Sequence, residues 1–472
     1  MKPVAVYFRA LVMSLLVFSC TVGGVAAEKP RVVILTDIAP ADVEPDDKES
    51  MVRLLSHSDL FEIEAIITCS GWNCSGGAYP DEWRQHLFEI IDAYEKDLPN
   101  LMKRSGQTGF KSVDKEGGKQ EIGYWQSADY LRSRVFQGSR HLGVAHLGAD
   151  NNTPGSDFII NLVKERDSRP IWILIWGGGN TVAQSLWKLK NSEDEKTLAL
   201  ALEKLRLYTI TDQDVDWGNR TKYELSSHKW MRETFGKSLF FIWDESAWLS
   251  QNSLGASDWD KYATLIQGKG HMGKIYPRNK YGVEGDTPSF LYVIPNGLNN
   301  PEQPSQVGWG GYFKMMQSDD KTTCCYNNSS HEIKSISGKY EKYFYDATFD
   351  NFAARMEWAE TGEGNRNPVV VINGDRSLKA VDVKCRKGKS VTLDARQSYD
   401  PDGDKLSIKW WILPEAGDVN SDVALADNGD GTATITVAGN CNPGNIHIIC
   451  EVTDDGKFCL KGYRRIILSV KQ

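Results

Sequence analysis

Residues 31–55, RVVILTDIAPADVEPDDKESMVRLL, decide how the rest of the chain is read. The run from Arg31 to Thr36 is apolar and β-branched and ends on a polar turn, as a strand buried in a parallel sheet does. Beyond Lys48, Met51, Leu54 and Leu55 fall at helical spacing. Between strand and helix lies a loop carrying Asp37, Asp42, Glu44, Asp46 and Asp47. Five carboxylates so close together repel one another. A solvated acidic loop over a helix N-terminus accounts for Asp46 or Asp47, because acids are favoured there. It does not account for a cluster at the mouth of a buried strand. A hard divalent cation does, since calcium takes several oxygen ligands at short range.

Outward from this stretch the alternation continues. FEIEAIITCSGWN (61–73) reads as a second strand, and DEWRQHLFEIIDAYEKDLPNL (81–101) as an amphipathic helix stopped near Pro99. SDFIINLVKERD (156–167) is helical, PIWILIWGGGN (170–180) is a strand running into glycines, and TVAQSLWKLKN (181–191) is a helix. LRLYTITDQD (205–214) and SLFFIWDE (238–245) are further strands. Strand and helix in turn predict an α/β domain with a mainly parallel sheet, whose ligands bind beyond the carboxyl ends of the strands. Asp37, Asn73, Gly177 to Asn180 and Asp212 all fall just past such ends.

The composition changes at TGEGNRNP (361–368). Beyond it come short alternating strands: SVTLDA (390–395), LSIKWWIL (406–413), TATITVAG (432–439), IHIICEVTD (446–454) and RRIILSV (464–470). They predict an immunoglobulin-like β-sandwich over 366–472, following an α/β domain over 28–362. A chain stopped near Gly364 is expected to fold alone. LDARQSYDPDGDKLSIKWWI (393–412) resembles the strand–turn–strand signature of extracellular PKD-type domains. Its Asp and Gly are what a tight turn needs, and a turn is preferred here to a calcium loop. Trp410 and Trp411 alternate in a strand, so one of them faces out or against the first domain.

Lys2 and Arg9, the apolar stretch Ala10 to Phe18 and the small residues Val25-Ala26-Ala27 form an export signal over 1–27. A secreted or periplasmic product is expected, with lipid anchoring through Cys20 as the alternative. No later stretch has the length and apolarity of a membrane helix. The formal charge is −8, and without Lys2 and Arg9 it is −10, so a basic nucleic-acid-binding face is excluded. Eight cysteines follow position 27 without zinc-type spacing, and Cys69 and Cys74 are near enough in sequence to bridge a loop. The fifteen tryptophans belong to an aromatic core or to sugar-stacking platforms. No Gly-x-Ser-x-Gly elbow and no P-loop Lys-Ser/Thr is present.

With these residues the chain resembles the nucleoside hydrolases over Arg31 to Tyr312. That family opens with a strand leading into Asp-x-Gly-x-Asp-Asp and a helix. The resemblance makes Asp37 and Asp47 calcium ligands and Asp46 the base for the attacking water. It places Asn73 of CSGWN at the family's second Gly-Asn landmark. It places Asn180 of GGGNTVA where a backbone carbonyl binds metal, and Asp286 of VEGDTPSF at the late Asp ligand. EPDD, WGGGNT, EGDTPSFLYVIPNGL and WGGYF are closer still to a subgroup labelled cellulose-binding, which adds a small β-sandwich. Trp72, Asn73, Asp212 and Glu284 are the expected substrate-binding residues. Three departures stand out. Eight residues separate Asp37 from Asp46, where the enzymes have three. The loop glycine is absent, and Gly285 replaces a leaving-group His. The resemblance implies a calcium-dependent hydrolase of glycosidic bonds acting on a glycan or other glycoside. The alternative is a carbohydrate-binding protein on the same scaffold.

Overall fold

The computed structural model describes residues 28–74, 77–110, 120–192, 194–215, 223–419 and 422–471. The export signal, with Cys20, lies outside the described residues.

The first domain is built on an eight-stranded sheet. Its first half comprises β1 (Arg31–Thr36), α1 (Asp46–Ser56), β2 (Glu62–Thr68), α2 (Gln85–Ser105), α3 (Ala128–Ser133), β3 (Val135–Gln137) and α4 (Pro154–Lys164). Then come β4 (Ile171–Ile175), α5 (Asn180–Asn191), α6 (Glu195–Lys204), β5 (Leu205–Ile210), α7 (Ser227–Phe235) and β6 (Phe240–Asp244). Four short helices follow: α8 (Ala247–Ser257), α9 (Trp259–Leu265), α10 (Gly270–Ile275) and α11 (Thr287–Val293). The hairpin β7 (Lys314–Gln317) and β8 (Cys324–Asn327) closes the sheet, and the long α12 (His331–Thr361) ends the domain.

The strand order is β3-β2-β1-β4-β5-β6-β8-β7, parallel throughout except for β7 against β8. β1, β2 and β4 are buried at every residue, as their unbroken apolar runs require. From β1 the chain first builds outward through β2 and β3, then returns to β4 on the other flank. The order therefore reverses between β1 and β4, where ligands of open α/β sheets bind.

One helix runs further than the sequence predicts. α2 passes through Pro99 and ends at Gly106, which holds a left-handed φ of 74°. Leu98 and Leu101 on either side of the proline are core residues. Asn100 Nδ2 donates to the carbonyls of Ala359 and Glu360 at the end of α12, 3.0 Å away in both cases. Packing on both sides outweighs the one backbone hydrogen bond a proline removes.

The sandwich pairs β10 (Ser390–Asp394), β13 (Thr432–Val437) and β12 (Val423–Asp427) in one sheet. The other holds β11 (Leu406–Ile412), β14 (Gly444–Asp454), β15 (Lys461–Lys471) and β9 (Val381–Arg386). Trp410 is buried in the sandwich's own core. Trp411 packs on α12, its ring 5.5 Å from that of Tyr343. Leu413, Ile449 and Tyr463 belong to the same apolar cluster as Trp309, Tyr340 and Phe344 of the first domain. Arg465, buried, donates to the carbonyls of Leu298 and Val307 at 2.8 and 2.7 Å. The sandwich thus adds Leu413, Ile449 and Tyr463 to the first domain's apolar cluster, a face that a chain stopped near Gly364 would leave open. All eight cysteines of the described residues are free thiols, including Cys69 and Cys74. Among the described residues no helix is long and apolar enough to cross a membrane.

Candidate functional site

At the switch point β1 delivers Asp37 and β4 delivers Gly177. A Cβ on Gly177 would lie 2.9 Å from Asp37 Oδ1, and one on Gly71 would overlap Asp37 Oδ2. The Asp37 carboxylate is wedged between two bare backbones and is 3% exposed. Glycine is required at both positions by close approach rather than by φ. Asn73 Nδ2 donates to the Asp37 carbonyl, which fixes the strand end to the turn after β2.

Asp46 and Asp47 open α1, and Asp286 precedes α11. One carboxylate oxygen from each of the three lies within 4.8 Å of the others. That separation suits opposite ligands of one ion with oxygens at about 2.4 Å. Asp47 accepts from Thr36 Oγ1, and Asp46 Oδ1 accepts from the Asp47 amide at 3.0 Å. Asp286 Oδ2 is buried with no hydrogen-bond partner. Burial first, and then Asp47, Asp46 and Asp37, hold the Asp286 carboxyl well above the usual range. Burial and Asp47 do the same to Asp37. Asp47 is pushed up to about 8 by burial and by Asp46, and Glu44 to about 10 by burial and by its contact with Asp46. Asp46 is raised by burial, opposed by its hydrogen bond with Glu44. Lys280 opposes the rise at Glu44. Among the described residues none of Asp37, Asp46, Asp47 and Asp286 is in an ion pair. An all-oxygen donor set, buried and short of positive charge, fits a hard divalent cation.

The residues around this cluster sort by what occupies their polar atoms. Gly285 abuts Asp46, whose Oδ2 would be 2.7 Å from a Cβ placed there, so a side chain at this position would have to displace the Asp46 carboxylate. Glu284, expected at the substrate, is fully buried against Arg53 Nη1 at 2.5 Å and Tyr276 Oη at 2.8 Å. Its amide donates to Glu49 Oε2 at 2.8 Å, so Glu284 anchors the Gly285–Asp286 turn to α1. Asn180 begins α5, and its Nδ2 donates to the Gly143 carbonyl at 2.5 Å. Trp72 lies half-buried in the turn after β2, its Nε1 donating to the Val215 carbonyl at 2.7 Å. Its ring meets Trp248 edge-on with centroids 6.3 Å apart.

Asp212 falls in a second group, with Asp214 and His228. Asp212 Oδ2 accepts from Ser226 Oγ at 2.6 Å and Oδ1 from the Asp214 amide at 3.2 Å. Asp214 Oδ2 accepts from the amide and hydroxyl of Ser227, and Oδ1 from the Gly179 amide at 3.3 Å. Gly178 and Gly179 stand against Asp214 and His228 as Gly177 stands against Asp37. The glycine run of residues 177–179 therefore serves three side chains in succession, which the sequence showed only as a strand ending in glycines. Sequence reasoning also missed Gly71 and the partnership of His228 with the TDQD acids. Gly71, two residues before Asn73 in CSGWN, was within reach of the motif; His228 carried no signal.

This parallel-sheet domain, with its acids at the β1/β4 switch point, is of the nucleoside-hydrolase-like class, joined here to a β-sandwich. The chain belongs to the family described as cellulose-binding Sde182, nucleoside hydrolase-like domain, which it matches over residues 31–313. Residues 390–470 match the C-terminal domain of cellulose-binding protein Sde0182. Among solved structures it is similar to a nucleoside hydrolase-related hypothetical protein from Saccharophagus degradans associated with carbohydrate metabolism. The two are 30% identical with a TM-score of 0.77, over 94% of this chain and all of that one. The type III effector XopQ, solved with adenosine diphosphate ribose, aligns over 71% of this chain at 9% identity and a TM-score of 0.32. No curated protein matches the chain.

Proposed function

We propose that this protein is an exported hydrolase of glycosidic bonds in a glycan, dependent on calcium at the Asp37–Asp47–Asp286 centre, with the Asn180 carbonyl completing it. The observation that carries this reading is Asp46: a half-buried carboxylate beside two buried acids that have no ion pair among the described residues. Calcium, when bound there, would hold vicinal sugar hydroxyls and lower the pKa of water. Asp46 would take the proton of the attacking water, its carboxylate held by the Asp47 amide. Asp37 and Asp286 would offer negative charge to an oxocarbenium-like transition state. Trp72 and Asn73 at the rim would meet the sugar, an indole face suiting its C–H surface. Glu284 and Asp212, whose oxygens already have protein partners, would shape the pocket from behind. With no leaving-group imidazole at Gly285, common nucleosides should be poor substrates.

A second reading, carbohydrate binding without turnover, is favoured by the family's cellulose-binding description. Asp46→Asn separates the two. It keeps the shape of the site and should lose about 10²–10⁴-fold in turnover while retaining sugar affinity. Equal turnover in wild type and variant removes Asp46 from the mechanism. No turnover by wild type on any glycan or nucleoside, with calcium-dependent sugar binding intact, establishes the binding reading.

A further inference from the structure

Where the sandwich meets the first domain the chain leaves a cavity of about 270 Å³ with a largely apolar wall. Ile294 and Pro295, which follow α11, line it from the first domain, and Val369, Leu378 and Tyr463 line it from the other side. Trp309 also lines it, its ring edge-on to that of Tyr463 with centroids 6.0 Å apart. Junctions between domains are where small-molecule pockets commonly form.

The polar groups of this cavity are of one kind. Its lining includes Arg355, Arg376 and Lys461 and, among the described residues, no Asp or Glu, in a chain whose formal charge is −8. Arg355 pairs with Asp59 and Lys461 with Glu451, acids that stand off the lining. The amides of Asn351 and Asn367 are occupied by each other, by His57 and by the Lys461 carbonyl. Two N–H groups are left over. Arg355, 4% exposed, keeps Nε buried with no hydrogen-bond partner. Asn296 Oδ1 accepts the amides of Leu298 and Asn299 at 3.0 and 2.9 Å, which fixes the orientation of its amide group. Its Nδ2 is thereby left buried and unpartnered. A buried donor without an acceptor is costly. Water could serve each donor singly, but a largely apolar cavity holds water poorly. An acceptor carried on an apolar body answers both the donors and the wall.

We propose that this cavity binds a small organic carboxylate with a ring-sized apolar body. Its oxygens would take the Asn296 and Arg355 N–H groups, and its charge would sit among Arg355, Arg376 and Lys461. An aromatic acid fits better than a sugar acid, because the amide oxygens of Asn296, Asn351 and Asn367 already receive donors and leave little for sugar hydroxyls. The ligand would touch both domains and so stabilise their docked arrangement. The site shares no residue with the Asp37 centre and does not rest on the reaction there.

The test is calorimetric titration of the full-length protein with benzoate, with its neutral isostere benzamide, and with glucuronate. Benzoate should bind at least ~10-fold more tightly than either of the others, since hydrogen bonds to a charged group are the stronger ones. Asn296→Asp keeps the oxygen that caps Leu298 and Asn299 and exchanges the donor for a negative charge; it should weaken benzoate by roughly 10–100-fold. Arg376→Gln, at an exposed position, should weaken it by about 3–10-fold, and Asp47→Asn should bind it as wild type does. Glucuronate binding more tightly than benzoate, with the same losses in the variants, would keep the carboxylate site and make its ligand a sugar acid. The proposal is overturned if neither carboxylate binds wild type, if benzamide binds as well as benzoate, or if Asn296→Asp and Arg376→Gln, folded by near-UV dichroism, both bind benzoate with unchanged affinity.

Discussion

Two groups of buried acids stand at the carboxyl edge of the same sheet, served by the same run of glycines, and they differ in what answers their oxygens. Asp212 and Asp214 are met by Ser226, Ser227, Gly179 and one backbone amide of their own turn. Asp286 keeps a buried oxygen with no partner, and Asp37 is enclosed by glycines that offer it no side chain. The difference teaches how to separate architecture from chemistry. Acids whose lone pairs are filled by the protein hold the fold together. Acids left unfilled in a dry pocket require something from solution.

The comparison can be broken most forcefully on its structural side. Asp214→Ala leaves the Ser227 amide, the Ser227 hydroxyl and the Gly179 amide without their acceptor, at about 1–3 kcal/mol for each buried group. A loss of about 3 kcal/mol or more in urea unfolding is expected, with the calcium-induced rise in melting temperature preserved. A smaller effect is expected of Gly71→Ala, whose methyl group would displace Asp37 and leave the fold in place. Calcium affinity should fall by roughly 100-fold, about 2.7 kcal/mol, as read by titration. Unchanged affinity would take Asp37 out of the metal centre.

The mildest test is pH. An acid whose native pKa is raised holds its proton more tightly in the folded state. Its contribution favours folding at low pH and is lost as pH climbs from the unfolded value toward the native one. For Asp47 that window runs from about 4 to about 8. Chelated protein should lose up to ~1.4 kcal/mol per pH unit for each proton released across it. Saturating calcium should flatten the slope, because the ion replaces the protons. Denaturant unfolding at several pH values, with chelator and with calcium, reads this directly; identical slopes in both would deny the cation its role.

Much of the fold was legible because parallel strands buried on both faces leave unbroken apolar runs, and β1, β2 and β4 all do. What failed to show was packing between distant parts. The alternation of Trp410 and Trp411 did turn one ring outward or toward the first domain, but Leu413, Ile449 and Tyr463 look like ordinary strand residues, and nothing local says that they complete another domain's core. α12 lacks a clear one-sided stripe because it is buried from both domains, so its 31 residues offered no amphipathic pattern to read. α2 ran through Pro99 because contacts far along the chain reward it. At the site, the acidic loop declared itself by charge alone, and Asp286 only through a motif. Asp212 was read as a substrate contact because its partner Ser226 lies fourteen residues on, at the cap of α7. Gly71 and Gly177 matter through what they leave room for, which appears only once Asp37 stands between them.

The most direct measurement is the number of calcium ions bound per chain by wild type, Asp47→Asn and Asp214→Asn, each checked for folding by near-UV dichroism. Asp47→Asn should lose one bound ion and Asp214→Asn none, since Asp47 stands beside Asp286, whose Oδ2 has no partner, whereas Asp214 is filled by Ser227 and the Gly179 amide. Loss of an ion from Asp214→Asn, or full retention by Asp47→Asn, would contradict the assignment of the metal centre to the acids at the β1/β4 switch point.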